Sequence, residues 1–350
     1  MGSPIRGLKR STSRRNKIQK SEDRSQRADG RREGINFPVF CFLFSVFCFF
    51  VSGCGPKYTY PADIVPQAIE QMCLQEYKIG VTARVVGKTV GALVYLDTIV
   101  DPKGQIPKEV HEKMGQVVQA VTRVALSTDL PIDFCTVVIR DKVHTNELVI
   151  TRSLDDTKRA NADAIGIEES INRTLFGQAK FQVDATGKGD FVLEEVKKES
   201  FLTEQIVQRI RFSFAKDVKD ETSQPFILVD GAFEKEEEKR GFHFSIIALK
   251  TEDPRGMILS IFKIVNTVLQ GYQFTDFELI EIQDYLNRQK LVLNKQVLLD
   301  YQQKKITDKE LLDKFLMESQ SIQEAFKLFG FSLPQESNGK EAAVVTSATP

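Results

Sequence analysis

Two segments of the chain carry one pattern at a spacing of 143 residues: Ile132 to Ile150, IDFCTVVIRDKVHTNELVI, and Thr275 to Leu293, TDFELIEIQDYLNRQKLVL. Asp133-Phe134 falls on Asp276-Phe277, Ile139 on Ile282, Asp141 on Asp284, and Leu148-Val149 on Leu291-Val292. Each segment reads as two short strands joined by a polar turn. A repeat of this length means that the fold must satisfy the same burial pattern twice, so it is the strongest constraint in the sequence.

The elements before these hairpins keep step. Met114, Val118, Val121 and Ala125 map onto Met257, Ile261, Ile264 and Val268, one face of a helix in both cases. Val121 and Ile264 are therefore expected at matching core positions. Farther upstream, GALVYLD (Gly91 to Asp97) parallels FSIIALK (Phe244 to Lys250), with a shorter loop in the second copy. Entry helices match through Ala68, Ile69, Met72 and Ile206, Val207, Ile210, and closing helices lie near Glu168 to Leu175 and Lys309 to Leu316. The expected fold class is α+β: tandem duplicated two-layer domains over residues 64–176 and 203–318. Each is helix-strand-strand-helix-strand-strand-helix with a mainly antiparallel sheet. The runs GALVYL and SIIAL are apolar without alternation, which predicts central strands with helices on one side and the partner repeat on the other.

Between the copies, residues 177–202 read as a linker hairpin, with Phe181, Val183, Phe191 and Leu193 flanking Thr186-Gly187-Lys188-Gly189. That turn lacks the spacing and the Ser/Thr of a phosphate-binding loop. Residues 319–333 read as a C-terminal amphipathic helix through Ile322, Ala325, Phe326 and Phe329, expected to dock in the groove between the repeats. Residues 334–350 are small and polar and read as a disordered tail.

Charge separates the N-terminus from this body. The chain has 350 residues, 48 basic and 48 acidic, so no global field favours nucleic acid. The first 33 residues nonetheless hold eleven Lys/Arg against four acids. Residues 1–36 form a basic leader, read as disordered or as sequence upstream of the true start codon. Residues 37–53 form an uncharged apolar segment, FPVFCFLFSVFCFF followed by Val51-Ser52-Gly53, with Cys54 next. A positive segment, a short apolar core and small residues are the layout of a secretory signal, and the core is at the short limit for a membrane span.

Val51-Ser52-Gly53-Cys54 resembles the lipobox of bacterial lipoprotein precursors. The resemblance implies signal peptidase recognition of Val51, Ser52 and Gly53, cleavage before Cys54, and diacylation of the Cys54 thiol. Two acyl chains suffice for stable anchoring. The implied location is the cell envelope, membrane-anchored by lipid. Gly55 after the cysteine points to the periplasmic face of the outer membrane in a Gram-negative cell.

No residue pattern specifies a chemistry, so no catalytic residue, metal ligand or cofactor is expected. His111, His144 and His243 lack metal-ligand spacing with one another or with cysteine. Cys73 and Cys135 read as buried free thiols, a disulfide between them being the alternative. Asp97 and Asp101 bracket a strand end as a carboxylate pair that the second copy does not repeat, and EKEEEKR (Glu234 to Arg240) reads as a solvated hairpin tip. The expected function is a non-catalytic binding or assembly module, tethered to the bilayer through acylated Cys54. Its partners would be an envelope protein or a second copy, and not nucleic acid, with strand addition at a sheet edge as one mode. The alternative is an envelope enzyme acting on cell-wall or lipid material in a cleft between the repeats.

Overall fold

A computed structural model describes residues 59–319, apart from 102, 143–144, 181–189, 217–226, 236–239 and 250–251. The leader, the apolar segment, the lipobox residues Val51, Ser52, Gly53 and Cys54, the C-terminal helix 319–333 past Ser319 and the tail 334–350 lie outside the described residues, as does His144.

The first half opens with a short 3-10 turn, Ala62–Ile64, and helix α1, Val65–Tyr77, whose Pro66 suits a first helical turn. Strands β1 (Val81–Val86) and β2 (Thr89–Leu96) follow, then α2 (Lys108–Leu126), β3 (Phe134–Asp141) and β4 (Asn146–Ser153). Two short helices, α3 (Leu154–Asn161) and α4 (Ile167–Asn172), lead to β5 (Leu175–Lys180). The second half repeats the order: α5 (Lys198–Lys216), β6 (Ile227–Glu234), β7 (Gly241–Ala248), α6 (Pro254–Gly271), β8 (Leu279–Asp284), β9 (Gln289–Asn294), α7 (Lys295–Gln302), α8 (Asp308–Phe315) and β10 (Leu316–Glu318).

Each half builds a five-stranded sheet in sequence order, β1 to β5 and β6 to β10. Only β2–β3 and β7–β8 are parallel, which requires a crossover, and α2 and α6 supply it. The fold is thus α+β, a tandem pair of mainly antiparallel sheets with helices packed on one face. Fine details recur as well. Asp141 and Asp284, both buried, close β3 and β8, and the next residues, Lys142 and Tyr285, donate to Leu96 O and Ile246 O. Asp133 pairs with Lys88 as Asp276 pairs with Arg240. The α3–α4 and α7–α8 turns match bond for bond: Asp163 and Lys304, with φ of 53° and 59°, donate to Ala160 O and Tyr301 O.

Two core clusters result, one under each sheet. In the first, Val110, Met114, Val117, Val121 and Val124 of α2 pack on Ala92, Val94, Val137 and Ile139. The second includes Phe134 from the first half, so the halves share apolar surface.

The structure corrects several expectations. Each half carries an additional short helix, α3 or α7, and a fifth strand, β5 or β10. Residues 175–180 belong to the first sheet, and Asp190 to Lys197 form no strand, so 177–202 is not a linker hairpin over its described part. The second face of β2 is covered by Phe191 and Leu193 instead of the partner half. The equivalence of β2 and β7 also differs from the one expected. Pairing to β3 and β8 makes Leu96 equivalent to Ile246, whereas setting Gly91 on Phe244 shifts the strand by an odd number and inverts its faces. Finally, Val121 is fully buried while Ile264 is only partly so, and Val265 takes the core position. Truncating Val121 or Val265 to alanine is expected to cost about 1–3 kcal/mol each in urea unfolding, with a smaller loss per carbon at Ile264.

Candidate functional site

A cleft of about 510 Å³ opens between the two halves. One wall is the α2–β3 loop and the start of α3, with Ile132, Asp133, Asp155 and Lys158; the other is Lys198 at the start of α5 with Gly271 and Gln273 at the end of α6. Its floor is aromatic: Phe134 meets Phe201 at 5.0 Å between centroids, and Phe201 meets Tyr272 edge-on at 6.0 Å. The sequence placed these rings far apart, and only the docking of α5 against the first half assembles them.

Beneath the floor runs a buried ionic cluster that joins the halves. Asp156 on α3 accepts from Arg173 Nη1 at 2.8 Å and from the Tyr272 hydroxyl at 2.5 Å. Arg173 Nε donates to Glu169 Oε1 at 2.7 Å, and Arg209 of α5 reaches the same oxygen at 3.1 Å. The Arg173 guanidinium also lies 4.7 Å from the Tyr272 ring centroid, a cation–π contact. Burial, reinforced by the Asp156 charge, pushes the Tyr272 phenol far above its ordinary range, so it serves as a neutral donor. Arg159 closes the seam with a 3.3 Å bond to Gly271 O. These groups are committed to holding the halves together. Lys158, Asp155 and Lys198 remain at the solvent-exposed rim.

The sheet edges are guarded by side chains. Glu70 of α1 accepts from the Ala83 N–H of edge strand β1 at 2.9 Å. Gln208 of α5 accepts from the Phe176 N–H of edge strand β5 at 2.9 Å and donates to Thr174 O. Arg211, on the same helix, donates to Val229 O of edge strand β6 at 2.7 Å. An incoming strand would have to displace these contacts, so three of the four edges are poor templates for strand addition.

The residues singled out in the sequence fall elsewhere. Cys73 and Cys135 are both buried and free. Burial, with Glu76 nearby, raises the Cys73 thiol to about 11, and burial raises Cys135 to about 12, so neither presents a thiolate. Asp97 pairs with Lys142 at 2.8 Å, while Asp101 accepts from the Lys103 and Gln105 N–H groups inside its own turn. The two carboxylates thus serve separate local contacts. His111 lies in the exposed first turn of α2, and His243 sits on the outer face of β7 near Glu234 and Glu281. The tip of the Glu234 to Arg240 charge run lies outside the described residues. Among the described residues there is no cluster of potential metal ligands, and no helix is long and apolar enough to cross a membrane. Comparison with known proteins finds no matching family model, no matching curated sequence and no matching solved structure.

Proposed function

We propose that this protein is a lipoprotein of the bacterial cell envelope, anchored through acylated Cys54, whose two-sheet body is a non-catalytic binding or assembly module with its ligand site in the cleft between the halves. The observation that carries the reading is the division of labour in the cleft. The groups with chemical capacity beneath the floor, Asp156, Arg173, Glu169 and Tyr272, are engaged with one another. The exposed rim offers Lys158, Lys198 and Asp155 for recognition, above a floor of buried aromatic rings. Such a site suits a polar, charged segment of a partner better than a bond-breaking reaction.

Fatty-acid analogue labelling should mark the wild type and leave Cys54→Ser unlabelled, with its leader retained; equal labelling would remove the anchor from the reading. For the cleft, Lys158→Glu combined with Lys198→Glu should abolish cross-linking to the envelope partner while leaving the unfolding free energy within about 0.5 kcal/mol of wild type, as expected of surface changes. Turnover of cell-wall or phospholipid substrate by the purified body, lost in Asp155→Asn, would instead favour the enzyme.

A further inference from the structure

The two halves differ in what covers the outer face of the sheet. In the first half the chain returns after β5 and lies along β2. Arg140 Nη1 donates to Asp190 O at 3.1 Å, and Arg84 Nη1 donates to Phe191 O at 2.5 Å. Phe191 packs on Leu93 and Val138. Leu193 rests on Gly91, where a Cβ would come within 2.7 Å of its Cδ1. Val196 N then donates to Thr89 Oγ1 at 2.9 Å. Residues 190–196 thus form a strap that runs antiparallel to β2 over its length.

In the second half, alternation places His243, Ser245 and Ile247 of β7 and Glu281 and Gln283 of β8 on the matching face, opposite the buried Phe242, Phe244, Ile246, Ile280 and Ile282. The strand ends set the equivalence. Asp141 and Asp284 close β3 and β8, so Gln283 occupies the place of Arg140. Arg140 holds the start of the first strap, and Gln283 Nε2 donates to Ser319 Oγ at 2.8 Å. Ser319 N also donates to Arg288 O at 2.8 Å, which continues the β9–β10 ladder, so the chain leaves β10 at a residue whose side chain already reaches this face. Both Gln283 and Ser319 are buried. The sequence that follows, SIQEAFKLFGF from Ser321 to Phe331, supplies Ile322, Phe326, Phe329 and Phe331. These are the kinds of side chain that Phe191 and Leu193 contribute to the first strap.

We propose that residues 320–331 are the second strap: past Ser319 the chain lies across the outer face of β7 and β8, antiparallel to β7, and completes the second half as 190–196 completes the first. This occupant is intramolecular, so the outer face is closed to partners and the inter-half cleft stays open. The proposal does not depend on lipidation or on what the cleft binds.

The test uses the full chain carrying Ser245→Cys, compared with the same variant ending at Ser319, with thiol labelling read peptide by peptide. The strap predicts slower labelling at position 245 in the full chain, by about tenfold or more. A full-length variant with Phe326→Ser and Phe329→Ser, which keeps chain length, should label nearly as fast as the truncated one. Lys158→Cys in the cleft should label at one rate in both lengths. A benzophenone side chain at position 247 should cross-link to a peptide within 320–331 of the same chain. Equal labelling at 245 in both lengths, slowing at 158 in its place, or cross-linking only to a second copy would each overturn the proposal.

Discussion

Replacing Phe242 by alanine is expected to cost about 3–5 kcal/mol, the range for removing a buried phenyl ring. Phe242 is fully buried on β7. Its ring meets Phe233 at 4.8 Å, Phe277 at 5.7 Å, Phe274 at 5.8 Å and Phe244 at 6.3 Å. Edge-on pairs add to area burial, so the loss exceeds transfer alone. Domains hold about 5–15 kcal/mol in total, so the variant should unfold at a much lower urea concentration, or fail to fold. Phe242→Leu keeps most of the volume and should cost under about 1.5–2 kcal/mol. A loss below 1 kcal/mol for the alanine variant would mean that the ring cluster does not organise the second core.

This ring cluster also marks what a reader of the sequence can and cannot see. The repeat was legible because each hairpin joins two half-buried strands, which print an alternating pattern, and because a buried aspartate ends β3 and β8 at a constant spacing. The helices α2 and α6 were legible for the same reason, with a one-residue error that moved the core position from Val265 to Ile264. Adjacent apolar residues on a helix leave that choice open until the sheet fixes its rotation. Strand β2 was legible as a strand but not in register. The helices bury one of its faces and the strap buries the other, so alternation vanishes and nothing marks which residues look inward. Strand β5 went unread because five of its six residues are exposed, and its sequence, LFGQAK, resembles a loop.

The candidate site was less legible than the fold. A cleft between repeats follows from duplication, but its chemistry comes from residues that no spacing rule connects. Asp156 and Arg173 are separated by helix, turn and helix, and Tyr272 lies in the other half. Position by position, the repeat does not help, because the equivalents of Asp156 and Arg173 are Val297 and Lys314 in the α7–α8 hairpin. The asymmetry has a physical origin. The first-half hairpin faces a neighbour across the seam and uses ion pairs there, whereas Val297, Leu311 and Leu312 of the second pack into their own core. Gln208 shows the same divergence: at the helix position where Glu70 guards its own sheet edge, it guards the edge of the other half.

The seam should be the most sensitive polar feature of the molecule. Asp156→Ala is expected to cost about 3–5 kcal/mol, because it leaves the buried Arg173 guanidinium with only the partly exposed Glu169 as counter-charge. The Tyr272 hydroxyl loses its acceptor in the same step. Much of that loss is the penalty for a buried charge stripped of one of its two carboxylates, and not the net worth of the pair. The double variant Asp156→Leu with Arg173→Met should therefore recover most of the stability, and a double-mutant cycle in urea would show strong coupling. Additive single and double losses would refute the coupling. Acid should loosen the same seam. Burial works to raise the pKa of Glu169, but hydrogen bonds from Arg173 and Arg209 outweigh it and hold the carboxylate below its usual value. A carboxylate lowered in the folded state lends stability above its unfolded pKa and loses it as pH falls through the folded one. Acid unfolding of the wild type should thus begin at the seam, with faster thiol labelling of a Lys158→Cys probe in the cleft as pH drops through the carboxylate range. Glu169→Gln should flatten that part of the pH dependence while costing less than Asp156→Ala, because Glu169 is partly exposed and Asp156 is buried. A pH profile unchanged by Glu169→Gln would remove Glu169 from the seam and leave Asp156 as its sole acidic anchor.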